Sequence, residues 1–282
     1  MLPFTKVEGL GNHFVLIDER GTGPRDWRAV ARAVCPRGTA VGADGLLVTA
    51  QPSDRTALVR MKMFNPDGSE DMCGNGLRCV ALLEAERRGM GPDRELVVQT
   101  LSGTRRTWVT SLAAGSATVR ASMGQPILRP PELPALIEGD SALDRPLTVA
   151  GEDLTVSLVS MGTPHCVIFV DQLDEPTFAR LSPKIEVSPL FPAGISVMWA
   201  TVEGRSGLRM RIWERAAGET HACGTGACAA VVSGVLTGRV HAPVTVSMPG
   251  GKLAVDWAGP GTEVVQTGPA SKVFGGGWVV YH

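Results

Sequence analysis

Residues 64–80 read FNPDGSEDMCGNGLRCV, and a variant of the centre of this stretch returns at residues 214–232 as ERAAGETHACGTGACAAVV. In each copy a cysteine, Cys73 or Cys223, opens a Gly-x-Gly turn that leads into a strongly apolar segment. An apolar segment of this kind predicts a helix that is buried on most sides. Each cysteine therefore stands at the start of a predicted buried helix.

The start of a buried helix has a definite chemistry. Its first backbone N–H groups have no partner within the helix and bind anions such as a carboxylate, and small residues let a ligand approach them. The same end of the helix favours a thiolate. The two copies therefore predict two activated sulfurs and two anion-binding turns in one cleft.

Two further features repeat in the same order as the cysteines. The turn GLGNHFVLID, around Gly11, is echoed by SMGTPHCVIFVD, around Gly162. Cys73 follows the first turn by 62 residues (73 − 11), and Cys223 follows the second by 61 (223 − 162). A glycine turn then follows after 30 residues (103 − 73) and 28 residues (251 − 223). Three matches in one order indicate an internal duplication.

The duplication predicts two similar lobes facing each other across a pseudo-two-fold cleft, where ligands usually bind. Strand patterns dominate around one long helix in the first half. We expect an N-terminal lobe over residues 1–122, which carries Cys73, and a C-terminal lobe over residues 123–269, which carries Cys223. A glycine-rich, strand-like segment, residues 270–282, is expected to return and complete the first lobe.

Composition narrows the function. The chain has 282 residues, 44% of them hydrophobic and 20% charged, as in soluble globular proteins. Its net charge of −1 gives no basic surface for nucleic acid. The sequence shows neither a secretory signal nor a membrane-length apolar run, so we expect a cytoplasmic protein without membrane contact. The six cysteines lack the spacing of a zinc site and are expected to be mostly reduced, with no metal.

Two cysteines, one from each half, suit the inversion of a carbon centre. One thiolate can remove a proton from one face of the carbon while the other thiol delivers a proton to the opposite face. The proton beside a carboxylate is weakly acidic, and paired helix N-termini can stabilise the charge that develops on that carboxylate. Such a reaction needs neither a metal nor pyridoxal phosphate, and no lysine is singled out as a Schiff-base former.

These motifs resemble the diaminopimelate epimerase family, cofactor-independent enzymes of lysine and peptidoglycan precursor synthesis. The matching segments cover nearly the whole chain: GLGNHFVLID, GADGLL, FNPDGSEDMCGNGLRC, SMGTPHCVIFVD, ERAAGETHACGTGACAA and MPGGKL. The resemblance implies an α+β fold of two pseudo-symmetric lobes, each a barrel-like sheet wrapped around a central helix. It implies conversion of LL-2,6-diaminopimelate to the meso isomer with no cofactor, and it leaves a homodimer open.

The resemblance also implies roles for individual residues. Cys73 and Cys223 would be the acid/base pair, with His165 and Glu214 tuning their protonation. The remaining positions would bind substrate: Asn12, Gly45, Asn65, Gly74, Asn75, Thr163, Ser196, Glu214, Arg215, Gly224 and Thr225.

Several positions depart from the family pattern. Thr163 and Ser196 stand where the family has Asn, and His13 stands where it usually has Asp. Ala216 replaces a usual Gly, and Gly45 lies where some members have Gln. Because these departures concern recognition of the far end of the substrate, a racemase of another amino acid on the same fold is the first alternative.

Two rivals come from other classes of protein. One is a redox module in which Cys73 and Cys223 form a regulatory disulfide. The other is a cysteine acyl-transfer enzyme with His165 as base, which leaves the duplicated cysteine unexplained. The other four cysteines are better explained as small buried hydrophobic residues: Cys35, Cys79, Cys166 and Cys228.

Overall fold

The computed structural model describes residues 1–279, and the chain divides into two compact units. The first contains Met1–Ser122 and the described residues from Thr267 onward, and the second contains Met123–Gln266. The last three residues of the strand predicted over 270–282, residues 280–282, lie outside the described part.

Seventeen strands and five α-helices are described within residues 1–279. The helices are α1 (Glu19–Thr22), α2 (Trp27–Val34), α3 (Gly74–Arg88), α4 (Glu175–Glu186) and α5 (Gly224–Leu236). The strands are β1 (Leu2–Gly9), β2 (Asn12–Asp18), β3 (Gly45–Ala50), β4 (Val59–Phe64), β5 (Glu70–Asp71), β6 (Glu95–Thr100), β7 (Gly103–Ala113), β8 (Ser116–Gly124), β9 (Arg145–Val149), β10 (Glu152–Ser160), β11 (Pro164–Phe169), β12 (Ser196–Val202), β13 (Gly207–Glu214), β14 (Gly218–Thr220), β15 (Val244–Met248), β16 (Gly251–Asp256) and β17 (Val264–Trp278). None of the described helices is long and apolar enough to span a membrane.

The first unit is a closed eight-stranded sheet. Strand β1 pairs antiparallel with β17 and β2, β2 runs parallel to β3, and β3 pairs antiparallel with β4. Strand β4 runs parallel to β6, the antiparallel pairs β6–β7 and β7–β8 follow, and β8 pairs with β17. Helix α3 packs against β1, β3, β4, β6 and β7, so it forms the centre of the barrel.

The second unit repeats this order of pairings. Strands β9, β10 and β11 pair antiparallel, β11 runs parallel to β12, and β12 pairs antiparallel with β13. Strand β13 runs parallel to β15, which pairs antiparallel with β16. Helix α5 packs against β10, β11, β12, β13 and β16. The predicted α+β fold, strand-rich sheets each around a buried helix, is confirmed.

Both central helices are buried from their first residue, as predicted. In α3 the side chains of Leu77, Val80 and Ala81 are fully buried against strand residues such as Phe14 and Leu47. In α5 the segment from Gly224 to Gly234 is buried without interruption. Removing this apolar surface from water stabilises each unit at about 25 cal/mol per Å².

The second glycine of each Cys-Gly-x-Gly motif sets how closely the helix approaches the sheet. A Cβ atom added at Gly76 would lie 2.7 Å from Cδ2 of Leu47 on β3. One added at Gly226 would overlap the side chain of Met198 on β12. These glycines let the first helical turn, with its backbone N–H groups, lie directly on a strand.

Candidate functional site

Cys73 and Cys223 occupy the same position at the start of α3 and α5. Each is the residue that caps the helix, with extended backbone angles of φ −131° and ψ 119° at Cys73 and φ −129° and ψ 110° at Cys223. The Sγ atom of Cys73 accepts from the N–H of Gly76 at 3.4 Å, and that of Cys223 accepts from the N–H of Gly226 at 3.3 Å. The duplicated motif therefore builds the same thiol site twice.

In the first unit, the start of β2 brings an amide to the Cys73 thiol. Oδ1 of Asn12 accepts from Sγ of Cys73 at 3.8 Å and from Nδ2 of Asn75 at 3.4 Å. Nδ2 of Asn12 donates to Oδ2 of Asp44 at 3.0 Å. The structure thus brings the three predicted residues Asn12, Cys73 and Asn75 together, with Asp44 behind them.

Asn75 is held from inside the barrel by a buried cation. Nη2 of Arg78, a side chain with no exposed surface, donates to Oδ1 of Asn75 at 2.8 Å. Nε of Arg78 donates to the carbonyl oxygen of Pro269 on β17 at 3.1 Å. Because guanidinium groups only donate, this contact fixes which end of the Asn75 amide faces Asn12.

The other predicted positions of the first unit have different surroundings. Gly74 begins α3 and is buried beside Cys73. Gly45 is enclosed at the start of β3, where an added Cβ would lie 2.8 Å from Cε of Met63 and 3.0 Å from the carbonyl oxygen of Phe64. Asn65 closes its own loop, because its Nδ2 donates to Oγ of Ser69 at 3.0 Å.

In the second unit, Cys223 is buried beside a hydroxyl and a carboxylate. Its Sγ lies 3.4 Å from Oγ1 of Thr225, and its thiol is hydrogen-bonded to the side chain of Glu214. Burial raises the pKa of this thiol well above its usual value, and the negative charge of Glu214 raises it further. The hydrogen bonds from Thr225 and from the Gly226 N–H lower the pKa by less. At Cys223, burial therefore outweighs the helix dipole that was predicted to favour a thiolate.

The Glu214–Arg215 pair lies at the end of β13. Oε1 of Glu214 accepts from Oγ1 of Thr220 at 2.6 Å, and Oγ of Ser196 accepts from the backbone N–H of Arg215 at 3.1 Å. Glu214 is half-buried, but the Arg215 side chain is exposed and donates through Nη1 to the carbonyl oxygen of Ala193 at 3.1 Å. The position of this pair between an apolar strand and a glycine turn predicts that both residues are buried, and this prediction is wrong for Arg215.

The turn that carries this pair is held by the carboxylate of Glu186, the last residue of α4. Oε1 of Glu186 accepts from the backbone N–H of Ala216 at 2.7 Å, and Oε2 accepts from Nε1 of Trp213 at 2.6 Å. Ala216 adopts φ 61°, a conformation that L-residues with a side chain adopt at a cost of roughly 1–2 kcal/mol. Glu186 and Ala216 together fix the direction of the pair.

His165 is a neutral, buried residue on β11. Its Nε2 lies 3.2 Å from Oγ1 of Thr163, and its Nδ1 has no hydrogen-bond partner among the described residues. Burial, together with the charge of Arg215, lowers the pKa of His165 to about 3. The imidazole is therefore uncharged at physiological pH.

The remaining four cysteines are buried, as expected for small hydrophobic residues: Cys35, Cys79, Cys166 and Cys228. Burial raises the pKa of Cys35 to about 11 and those of Cys79 and Cys166 further. Within residues 1–279, no group of three or more His, Cys, Asp or Glu side chains is arranged to hold a metal ion.

Sequence reasoning missed several of the groups that hold this site. Asp44 lies inside the GADGLL segment but was not singled out, since its neighbours give it no special pattern. Arg78 lies in the first cysteine motif, and its charge gave no sign that it would be buried. Thr220 and Glu186 carried no sequence signal, because their contacts depend on strand pairing and on how α4 ends.

Comparison with known proteins places these features in a family. The sequence model described as diaminopimelate epimerase matches residues 4–128 and 157–273. A "Diaminopimelate epimerase" of Desulforudis audaxviator is 44% identical over 280 residues, covering 99% of both chains. One of Moorella thermoacetica is 45% identical over 275 residues, covering 97% of this chain and 98% of the relative.

Solved structures agree on the fold. A hydroxyproline epimerase from Agrobacterium vitis superposes with a TM-score of 0.72 at 16% identity, covering 98% of this chain and 90% of that one. A methylitaconate-delta-isomerase superposes with a TM-score of 0.64 at 12% identity, covering 98% of this chain and 94% of that one. At these identities the likeness concerns the fold alone. The identities of 44% and 45% over almost the full length show that the chain belongs to the diaminopimelate epimerase family.

Proposed function

We propose that this chain is an isomerase that converts LL-2,6-diaminopimelate to meso-diaminopimelate without a cofactor, in the synthesis of lysine and of peptidoglycan precursors. Relatives named diaminopimelate epimerase are similar to this chain over almost their full length. The single observation that best supports the chemistry is the thiol site built twice, with each cysteine capping a buried helix and accepting from the second glycine N–H. We place the enzyme in the cytoplasm.

In the proposed reaction, Cys73 and Cys223 act on opposite faces of one α-carbon. One sulfur, as thiolate, takes the α-proton and becomes a thiol. The other, as thiol, gives its proton to the opposite face and becomes a thiolate. The carbon is inverted and no electrons are gained or lost, so neither an oxidant nor a reductant is consumed.

The carboxylate of the reacting centre is bound by the starts of α3 and α5. The first backbone N–H groups of these helices, at Gly74, Asn75, Gly224 and Thr225, are suited to an anion. When the α-proton leaves, negative charge moves onto this carboxylate, and fixed N–H dipoles stabilise that charge without having to reorient. Removing one such donor from an acyl-transfer oxyanion hole costs about 2.7–4 kcal/mol, which sets the scale of the effect expected here.

The two thiols have different hydrogen-bond acceptors. Cys223 is hydrogen-bonded to the carboxylate of Glu214, which can take its proton and create the thiolate. Cys73 faces the amide oxygen of Asn12, which accepts a hydrogen bond but does not take a proton. His165 stays neutral and contributes as a hydrogen-bonding ring beside Thr163.

The far end of diaminopimelate carries an ammonium and a carboxylate group. We assign their recognition to the side chains of Asn65, Thr163, Ser196 and Arg215, and to the backbone at Gly45 at the start of β3. The exposed guanidinium of Arg215 can contact a carboxylate in a bidentate manner. The racemisation of a smaller amino acid is less favoured, since nothing in the site requires a neutral side chain.

A substrate panel tests the proposed function. Reduced enzyme is incubated with LL-diaminopimelate and with single L-amino acids, and chiral chromatography follows the appearance of the inverted isomer. We expect meso-diaminopimelate to form at a rate well above that of any other inversion. Inversion of a smaller amino acid with none of diaminopimelate would support the alternative racemase.

Cysteine variants test the proposed acid/base pair. Cys73→Ala and Cys223→Ala should each lower the inversion rate by at least about 10³-fold, since general acid–base groups contribute 10²–10⁴-fold each. The matched control is Cys35→Ala, a buried thiol that packs in a different hydrophobic cluster from Cys73. Near-normal inversion by either catalytic variant, with its fold intact, would exclude the two-base assignment.

A further inference from the structure

The polar groups behind Cys73 form one continuous series within the first unit. Arg37 bonds to Oδ1 of Asp44, and Oδ2 of Asp44 accepts from Nδ2 of Asn12 at 3.0 Å and from the backbone N–H of His13 at 2.7 Å. Oδ1 of Asn12 faces both Cys73 and Asn75. Arg78 closes the series through Oδ1 of Asn75.

The ends of this series have fixed hydrogen-bonding directions. An ionised Asp44 can only accept, so the NH2 group of Asn12 must face it and the carbonyl oxygen must face the thiol. Arg78 can only donate, so the carbonyl oxygen of Asn75 must face it and the NH2 group must face Asn12. The two ends independently require the same orientation of the amides between them.

Asp44 is suited to hold this direction at neutral pH. Burial raises the pKa of its carboxyl group, but the His13 N–H and the side chains of Arg37 and Asn12 outweigh burial and lower the pKa overall. The other charged or titratable groups near this series lie on three elements. They are Lys6 and Glu8 on β1, Cys35 and Arg37 after α2, and Arg78 and Cys79 on α3.

We infer that Asp44 is a positioning residue that turns the carbonyl oxygen of Asn12 toward Cys73, so that the resting enzyme keeps Cys73 as a thiol. A thiol can donate to that oxygen, whereas a thiolate would be repelled by it. Asp44 thus acts on the sulfur through Asn12 and needs no contact with the substrate. Calling this sulfur catalytic rests on the proposed function, but its state of protonation does not.

Replacing the carboxylate by its isosteric amide removes the constraint. In Asp44→Asn, the side chain at position 44 can donate as well as accept, so the Asn12 amide can rotate and present its NH2 group to the sulfur. An N–H donor stabilises the thiolate. We expect the pH midpoint for alkylation of Cys73 to fall by about one unit, which is a tenfold change in the acid dissociation constant.

The experiment treats the full-length reduced protein with iodoacetamide over a range of pH and quantifies the alkylated Cys73 peptide by mass spectrometry. The matched control is the exposed Asp256→Asn, which should leave the midpoint unchanged. General loosening of the fold would raise reactivity at every pH without moving the midpoint. An unchanged or higher midpoint in folded Asp44→Asn would overturn the inference.

A double-mutant cycle separates an effect through Asn12 from a direct electrostatic effect of Asp44. In an Asn12→Leu background, which has no amide to rotate, Asp44→Asn should leave the Cys73 midpoint unmoved. A full one-unit fall in that background would also overturn the inference. Should Asp44→Asn not fold, Asp44→Ser, smaller and without a charge, carries the same prediction at this partly exposed position.

The readout distinguishes this inference from the proposed function. Alkylation requires no substrate, so a fall in midpoint with no inversion of diaminopimelate would uphold the role of Asp44 and refute the proposed reaction. Inversion of diaminopimelate with an unmoved midpoint in Asp44→Asn would uphold the proposed reaction and refute the role of Asp44.

Discussion

Two cysteines in equal backbone positions differ in the groups that face them. Cys73 faces an amide oxygen of Asn12, and Cys223 faces the carboxylate of Glu214. The repeated motif predicted both cysteines, because a helix start has local sequence features. It could not predict their partners, which reach the sulfur from strands and turns far away in the chain. The motif also did not indicate the pKa of Cys223, because burial raises this pKa by more than the helix start lowers it.

The neutral state of His165 predicts a dependence of stability on pH. Its pKa is about 3 in the folded protein, whereas an unfolded histidine titrates near 6.5. Between these two pH values the unfolded chain binds more protons than the folded protein. The stability that neutral His165 contributes is therefore fully present above about pH 6.5 and is lost as the pH falls. From pH 6.5 to 5, the free energy of unfolding should decline by up to about 2 kcal/mol from this residue.

Urea unfolding of the wild type and His165→Gln at both pH values isolates this contribution, because the other titrating groups are common to both proteins. We expect the decline to be smaller in the variant by up to about 2 kcal/mol. Equal declines in the two proteins would show that folding does not lower the pKa of His165.

The two hydroxyls in place of family asparagines predict a weakness in substrate binding. Thr163 and Ser196 have less reach than Asn, and their oxygens already contact His165 and the Arg215 N–H. A hydrogen bond to a charged group contributes roughly 1.5–3 kcal/mol. The double variant Thr163→Asn and Ser196→Asn should therefore lower KM for diaminopimelate by about tenfold or more with little change in kcat. A change confined to kcat would show that these positions act on the chemistry rather than on binding.

At the scale of secondary structure, the apolar runs predicted both central helices, but each helix begins earlier than its run. The Gly-x-Gly turns form the first turn of α3 and α5 because they lie flat on β3 and β12. Asp26 is of a residue type that favours the start of a helix and so predicts the start of α2, and its side chain accepts from two helical N–H groups. Helix α4 was not predicted, because its segment contains a proline, Pro183, in its interior.

Adding one methyl group at the second motif glycine should push the helix start away from its strand. Gly76→Ala would press on Leu47 and Gly226→Ala on Met198. Overpacking of this kind costs typically about 1–3 kcal/mol, and we expect that loss in the free energy of urea unfolding. Gly91→Ala is the control, since a Cβ there meets no atom within 4 Å. Equal stability of all three variants would contradict the close packing of the helix starts.

At the scale of the whole chain, the two units share one order of parallel and antiparallel pairings, which accounts for the repeated spacings in the sequence. The duplication could be predicted from the sequence, because the same turns and cysteines recur in the same order in both halves. The return of the C-terminal strand to the first lobe was predicted, but its partners were not: β17 pairs with β1 and β8. Pairing between such distant segments is set by the register of whole strands, which local sequence patterns do not encode.

The central claim is that two different thiols exchange protons with one carbon, and deuterium incorporation during the first few per cent of reaction tests it most directly. LL-diaminopimelate is incubated with the enzyme in D2O, and mass spectrometry follows both isomers. The sulfur that takes the substrate hydrogen is not the one that supplies the new hydrogen, and the supplying thiol carries solvent deuterium. We predict one deuterium in every meso molecule and none in the unreacted LL substrate. Meso product that keeps the substrate hydrogen, or equal labelling of recovered LL substrate, would contradict the account.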